Sequence, residues 1–304
     1  MHVVPMRRVT TSASLGYRLA YAAHWPVTVL RLARLVRRLK IDVVHTNSIH
    51  SWYGWAVAAL TRKPHVWSAR EIVVQSNAAL HLERFLARHF ATTVVAISHA
   101  VHRRLGAPDA WIFAEAPNIR RADRGRLRTK LGIDPGTFVF GAAGRIDTWK
   151  GFDVLLDAWE RASLDGALVI AGGAVAGKEA FARDIETRAR GLRGVYFLGA
   201  LSDVSELYAD IDALVMPSTF PEPLGLVMLE ALMSGVPVIA TDHGGPPEIL
   251  TGHEERGILV PPNDADALAR AMRSATGTLR RSDDPLWDAP PSLWPKILLD
   301  VASR

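Results

Sequence analysis

Residues 213–250, ALVMPSTFPEPLGLVMLEALMSGVPVIATDHGGPPEIL, constrain the fold more than any other stretch. Their first four residues are apolar, long enough for a buried strand and too short for a helix, and Pro217 breaks the run. Residues 225–233 form an apolar run too long for a strand, stopped by Ser234 and Gly235, and read as a helix. Residues 236–240 read as a second buried strand, after which Gly244 and Gly245 lead into another helix. Strand, loop, helix, strand, glycine loop and helix in succession specify a parallel sheet covered on both faces.

The same alternation runs through the rest of the chain. In the first half, strands are expected at 41–46, 65–68, 93–97 and 111–114. Helices are expected at 19–40, interrupted near Pro26, and at 49–60, 78–90 and 98–105. A basic linker helix at 122–130 leads to strands at 137–143, 167–171, 195–198 and 257–260. Helices at 152–161, 178–190, 204–209 and 265–272 accompany them, the last capped by Asp264. Two domains are expected, 1–120 and 121–304, with an irregular, proline-rich tail from about 277.

Two carboxylates stand out. Glu222 sits between Pro221 and Pro223, in a loop at the carboxyl end of a strand and before a helix, where open α/β sheets bind ligands. Glu230 lies in a helix apolar on nearly every side, and a buried carboxylate without a partner costs several kcal/mol. Either a backbone group or an arginine meets it, or a ligand with paired hydroxyls does. Free N–H groups at the helix start, around Leu224, Gly225 and Leu226, suit an anion. Arg145 and Lys150, in GRIDTWKG directly after a strand, are fixed cations that can neutralise a diphosphate, and Gly144 permits close backbone approach.

The spacing of Glu222 and Glu230, E-x7-E within PEPLGLVMLEALMSGVPVIAT and followed by GGPPEIL, resembles the retaining glycosyltransferases of the large family four. That resemblance implies two Rossmann-like parallel-sheet domains facing across a cleft, the GT-B fold. It implies transfer of a sugar from a nucleotide diphosphate sugar to a glycan, lipid-linked or small-molecule acceptor, with retention of anomeric configuration. By the same resemblance Arg145 and Lys150 hold the diphosphate, Glu230 the ribose and Glu222 the transferred sugar, with the base near Leu201. The strand and glycine-rich loop that open such proteins are not legible before Ile41, so the first domain is expected to be incomplete. An inactive nucleotide-sugar binder and an epimerase of the same architecture are the alternative readings. Relatives carry a catalytic His near HVWSAREIV; this chain has Ser68, Arg70 and Glu71 there, and no catalytic His is assigned.

Composition sets further limits. There is no cysteine, which excludes disulfides, thiolate metal sites and a cysteine nucleophile. Asp210 and Asp212 spell D-x-D, but cations in the site take the place of a divalent ion, so neither a metal nor a resident cofactor is expected. His99 and His102 read as structural, and Trp52, Tyr53 and Trp55 as packing. Residues 1–130 hold 21 Lys and Arg against 6 Asp and Glu, a net of +15 within a chain of net +5, so the remainder carries −10. Arg31, Arg34, Arg37, Arg38 and Lys40 cluster in RLARLVRRLK. An outer helix with a solvated basic face explains the cluster, and so does docking on an anionic membrane surface. No nucleic-acid module is legible, and no apolar stretch reaches the ~20 residues of a spanning helix. The expected location is cytoplasmic, peripheral to the inner face of a membrane in the second case.

Overall fold

The computed structural model describes residues 4–6, 14–72, 74, 76–107, 110–113, 117–120, 122–284 and 292–303. The chain divides into two compact units, Met1–Glu115 with Pro291–Arg304, and Ala116–Pro290.

The first unit opens with α1 (Leu15–Arg38), whose N-cap Ser14 accepts from the Tyr17 N–H. It then alternates β1 (Val44–Thr46), α2 (Tyr53–Thr61), β2 (His65–Ala69), α3 (Asn77–Phe90), β3 (Thr93–Ala96), α4 (His99–Leu105) and β4 (Trp111–Ile112). The four strands are parallel in the order β1-β2-β3-β4. Every residue of β2 and β3 is buried, as a sheet covered on both faces requires. Ala114, the last residue of the expected fourth strand, lies outside the described residues.

The expected break at Pro26 does not occur: α1 runs through it. Proline removes a helical hydrogen bond, but the residues around it are anchored by packing. Trp25 lies 6.3 Å from the Tyr53 ring and 5.9 Å from that of Trp55, and Tyr21 lies 6.0 Å from Tyr53. Trp55 also meets Phe90, so these aromatics pack the unit, as the sequence suggested.

The second unit contains α5 (Arg126–Leu131), β5 (Val139–Ala143), α6 (Phe152–Ala162), β6 (Ala167–Ala171), α7 (Glu179–Gly191), β7 (Val195–Gly199), α8 (Ser205–Asp210) and β8 (Ala213–Met216). It continues with α9 (Leu226–Met233), β9 (Val238–Thr241), α10 (Pro246–Leu250), β10 (Gly257–Val260) and α11 (Ala265–Thr278), the last capped by Asp264. The strands are all parallel in the order β10-β9-β8-β5-β6-β7. Two crossover series leave β5 and β8 in opposite directions, so the topological switch point lies between these strands. Both units are Rossmann-like α/β layers.

The end of the chain departs from expectation. Residues 285–291 of the expected tail lie outside the described residues, but 294–302 form a helix, α12 (Trp294–Ala302), that belongs to the first unit and not to the second. Its Ile297 and Val301 are fully buried with Val66, Val95 and Phe113, and Trp294 packs against Phe113 and His45. The apolar spacing of Ile297 and Val301 had been masked by the prolines beside it.

Candidate functional site

The switch point dictates where to look. The loop after β5 carries Gly144, Arg145 and Lys150; the loop after β8 carries Ser218 and Glu222. Glycines let the loops close on each other. Gly151 has φ +68°, and a Cβ there would sit 2.0 Å from the Pro217 carbonyl oxygen. In the loop after β9, Gly244 has φ +90°, and a Cβ there would meet the Glu222 carbonyl oxygen of the β8 loop at 2.2 Å. Either substitution would drive the loops apart. Thr219 seals the contact from its side: its N–H donates to Trp149 O at 2.9 Å and its hydroxyl to Thr148 O at 2.9 Å. Trp149 and Phe220 stack across the same seam, with centroids 4.7 Å apart.

This closure brings the Lys150 ammonium onto Glu222 Oε1, to which Ser218 Oγ also donates at 2.6 Å. Glu222 is 9% exposed. The sequence reading gave Lys150 to a diphosphate and Glu222 to a sugar; the structure pairs them with each other. Arg145 differs: it is exposed and pairs with no described residue, and Gly144 beside it has open space where a side chain would be. A cation without a partner beside an accessible backbone suits an oxyanion.

The third element is α9. Its N-cap, Gly225, has φ +87° and offers no side-chain cap, so the first N–H groups of the helix are left for another acceptor. Leu224 is buried beneath this turn and Leu226 is exposed. One turn on, Glu230 is half-buried, and Tyr208 on α8 donates to its Oε2 at 2.7 Å. Burial raises the Glu230 carboxyl above the ordinary glutamate value, and the Tyr208 hydrogen bond offsets part of the rise. Burial also pushes the Tyr208 phenol well up, with the Glu230 charge adding to it. The partner of Glu230 is thus neither backbone nor arginine. Tyr208 was missed, although an apolar helix holding one carboxylate signals that a donor faces it. Leu201, in the turn after β7, is exposed two strands away from β5.

The other sequence candidates have structural roles. Asp210 accepts from the N–H groups of Gly125, Leu127 and Arg128 at the start of α5. Asp212 accepts from Arg128 at 2.6 Å and from the Val139 N–H at 2.8 Å. Both aspartates serve the fold. His102 bonds the Ala107 carbonyl at 2.7 Å. His65 is buried between Thr46 and the Phe90 carbonyl, and desolvation lowers its imidazole to about 4.

Residues 137–276 match the family model described as Glycosyl transferases group 1. The lipopolysaccharide core biosynthesis mannosyltransferase LpsB of Rhizobium meliloti is 33% identical over 156 residues, 49% of this chain and 44% of that protein. The sulfoquinovosyl transferase SQD2 of Arabidopsis thaliana is 33% identical over 272 residues, 80% of this chain and 51% of that protein. The chain spans about half the length of these curated relatives. Among solved structures, the Anabaena protein HepE in complex with UDP and glucose is 25% identical with a TM-score of 0.72, over 82% of this chain and 71% of that one. Sucrose-phosphate synthase from Thermosynechococcus elongatus is 25% identical with a TM-score of 0.70, over 83% and 69%.

Proposed function

Because residues 137–276 form a group 1 glycosyltransferase domain, we propose that this chain transfers a sugar from a nucleotide diphosphate sugar to an acceptor with retention of anomeric configuration. The observation that carries the reading is the Lys150–Glu222 pair at the switch point, beside an exposed Arg145 that pairs with no described residue. A donor diphosphate lies against Arg145 and the open start of α9, and offers Lys150 a second anion. Glu222, kept in place by Ser218, is then free to accept a hydroxyl of the sugar. Glu230 receives the ribose hydroxyls on the oxygen that Tyr208 leaves unoccupied, and the base lies toward Leu201. As the glycosidic bond breaks, charge develops on the leaving diphosphate. Fixed cations and helix N–H groups aimed there stabilise the transition state more than the ground state. No step in this scheme requires a metal. HepE is solved with UDP and glucose, which supports UDP-sugars as the first donors to try. Release of free nucleoside diphosphate should require both donor and acceptor. Release without acceptor would indicate hydrolysis or epimerase-like chemistry, and no release from any donor would leave only a binder.

The acceptor in this reading is a glycan or a lipid-linked sugar of the cell envelope, met at the cytoplasmic face of a membrane. No helix among the described residues is long and apolar enough to cross one. Support comes from α1, which contains no acidic residue. Its outer surface exposes Leu19, Val27 and Leu30 beside Arg31, Arg34 and Arg38, a combination suited to anionic lipid and not to nucleic acid. Lys40 lies beyond the helix, and Arg37 is turned toward the Leu60 carbonyl at 2.6 Å. Each remaining cation contributes about 1 kcal/mol near an anionic bilayer. Sedimentation with anionic vesicles should be lost in high salt and absent with neutral vesicles; equal binding to both would remove the membrane from the scheme.

A further inference from the structure

The Lys150–Glu222 pair is set deep in the switch point, the lysine side chain 23% exposed and the glutamate side chain 11%. Two donors meet the carboxylate, the Lys150 ammonium and the Ser218 hydroxyl, and both take the same oxygen, Oε1. Among the described residues none donates to Oε2. The carboxylate cannot swing out to water, because its backbone is bound on both sides: the Glu222 N–H donates to the His243 carbonyl at 3.3 Å, and the Gly245 N–H donates to the Glu222 carbonyl at 2.8 Å. Ser218 is fully buried. The charge of Glu222 is therefore answered inside the site, and among the described residues Lys150 is the cation that answers it.

A diphosphate upsets that balance. Arg145, in the same loop as Lys150, and the open start of α9 draw it in. Whatever share of the ammonium the diphosphate takes is lost to Glu222, which keeps the Ser218 hydroxyl alone. A buried carboxylate short of donors is costly. A nucleotide sugar makes good the loss, because a sugar hydroxyl donates to the carboxylate. A free nucleoside diphosphate brings no such hydroxyl. Its terminal phosphate also carries a further negative charge that the sugar ester lacks, and Glu222 repels it.

We infer that the Lys150–Glu222 pair makes the site discriminate against free nucleoside diphosphate, so that it holds the nucleotide sugar and lets the diphosphate go once the sugar has left. Glu222 thus acts as a selectivity element in binding, apart from any part in the chemical step. This rests on the transferase reading in taking the two ligands to be a nucleotide sugar and its diphosphate.

The test is calorimetry on the full chain, as the parent and as Glu222→Gln, with UDP, GDP and ADP and with UDP-glucose, GDP-glucose and ADP-glucose. The amide keeps an oxygen for a sugar hydroxyl, loses the charge and releases Lys150. Removing this binding residue should therefore tighten the free diphosphate by roughly tenfold, while its glucose conjugate binds no more tightly than to the parent. Ser218→Ala should shift the balance the other way. It leaves the carboxylate dependent on Lys150, so the free diphosphate should bind about fivefold more weakly and the conjugate should change less than about twofold. That variant answers even if Glu222→Gln fails to fold. Unchanged or weaker binding of the free diphosphate by Glu222→Gln, or equal shifts of diphosphate and conjugate in either variant, would overturn the inference and leave the donor site standing. If the parent binds none of the six ligands, the transferase reading falls and the inference falls with it.

Discussion

In the second unit, the close contact of Gly151 with Pro217 presses together the loops after β5 and β8, and the resulting Lys150–Glu222 pair is neutral as a whole. In the first unit, the loops after β1 and β2 are bound by Glu71, which accepts from Ser48, Ile49 and Arg70. The charge of the units follows the same division. The first holds 17 Lys and Arg against 6 Asp and Glu, a net of +11; the second holds 19 against 25, a net of −6. The contrast is smaller than the +15 and −10 of the two sequence segments, because the basic stretch up to Lys130 folds with the second unit. There Arg128 meets Asp212 and supports the fold. An acidic unit can hold an anionic donor only by placing cations individually, and Arg145 and Lys150 are so placed. A basic unit holds an anionic ligand or surface more diffusely.

The largest effect that could break this comparison is on turnover. Lys150→Ala and Glu222→Gln should each lower nucleoside diphosphate release by about 10²–10³ with donor saturating. Unchanged melting temperatures would show that the loss is chemical. Near-normal turnover in either would mean that the pair serves only to close the loops.

The next effect concerns stability and separates the units by pH. His65 is neutral in the folded first unit because burial lowers it to about 4 from 6.5. Its contribution is complete above 6.5 and is lost as pH falls toward 4, a change of about 3 kcal/mol. Acid should therefore loosen the first unit before the second. The Trp67 ring, 5.3 Å from His65, reports it by fluorescence. Simultaneous unfolding of both units at lower pH would contradict this.

A smaller effect sharpens the account of the second unit. The raised Glu230 carboxyl favours its protonated form, so its contribution is full below the ordinary glutamate value and lost as pH rises through the raised one. Glu230→Gln avoids the buried charge and can still accept from Tyr208. At neutral pH it should melt higher than the parent, yet bind nucleoside diphosphate about tenfold more weakly. A lower melting temperature with unchanged affinity would make Glu230 structural.

Much of this was legible in the sequence, for identifiable reasons. Strands buried on both faces are apolar runs bounded by proline and glycine, so β8, β9 and the helix between them could be read directly. Residues 222, 230, 145 and 150 were legible because their charges interrupt such runs or follow them at once. Partnerships between distant residues were not. Nothing local tells that Lys150 meets Glu222 or that Tyr208 meets Glu230, since each pair depends on strand order. The pairing of His50 with the buried Glu83 was hidden by amphipathic spacing, because Glu83 occupies a polar-looking position that α3 turns inward. The helix at 294–302 was hidden by its prolines.

In the proposed scheme the donor diphosphate is held by the second unit, with Arg145 as the cation open to it. Calorimetric titration of UDP into the parent, Arg145→Ala and Arg70→Ala tests it most directly. The account predicts one site, weakened roughly tenfold to a hundredfold by Arg145→Ala and changed less than about twofold by Arg70→Ala. Affinity indifferent to Arg145, or lost on removing Arg70, would contradict it.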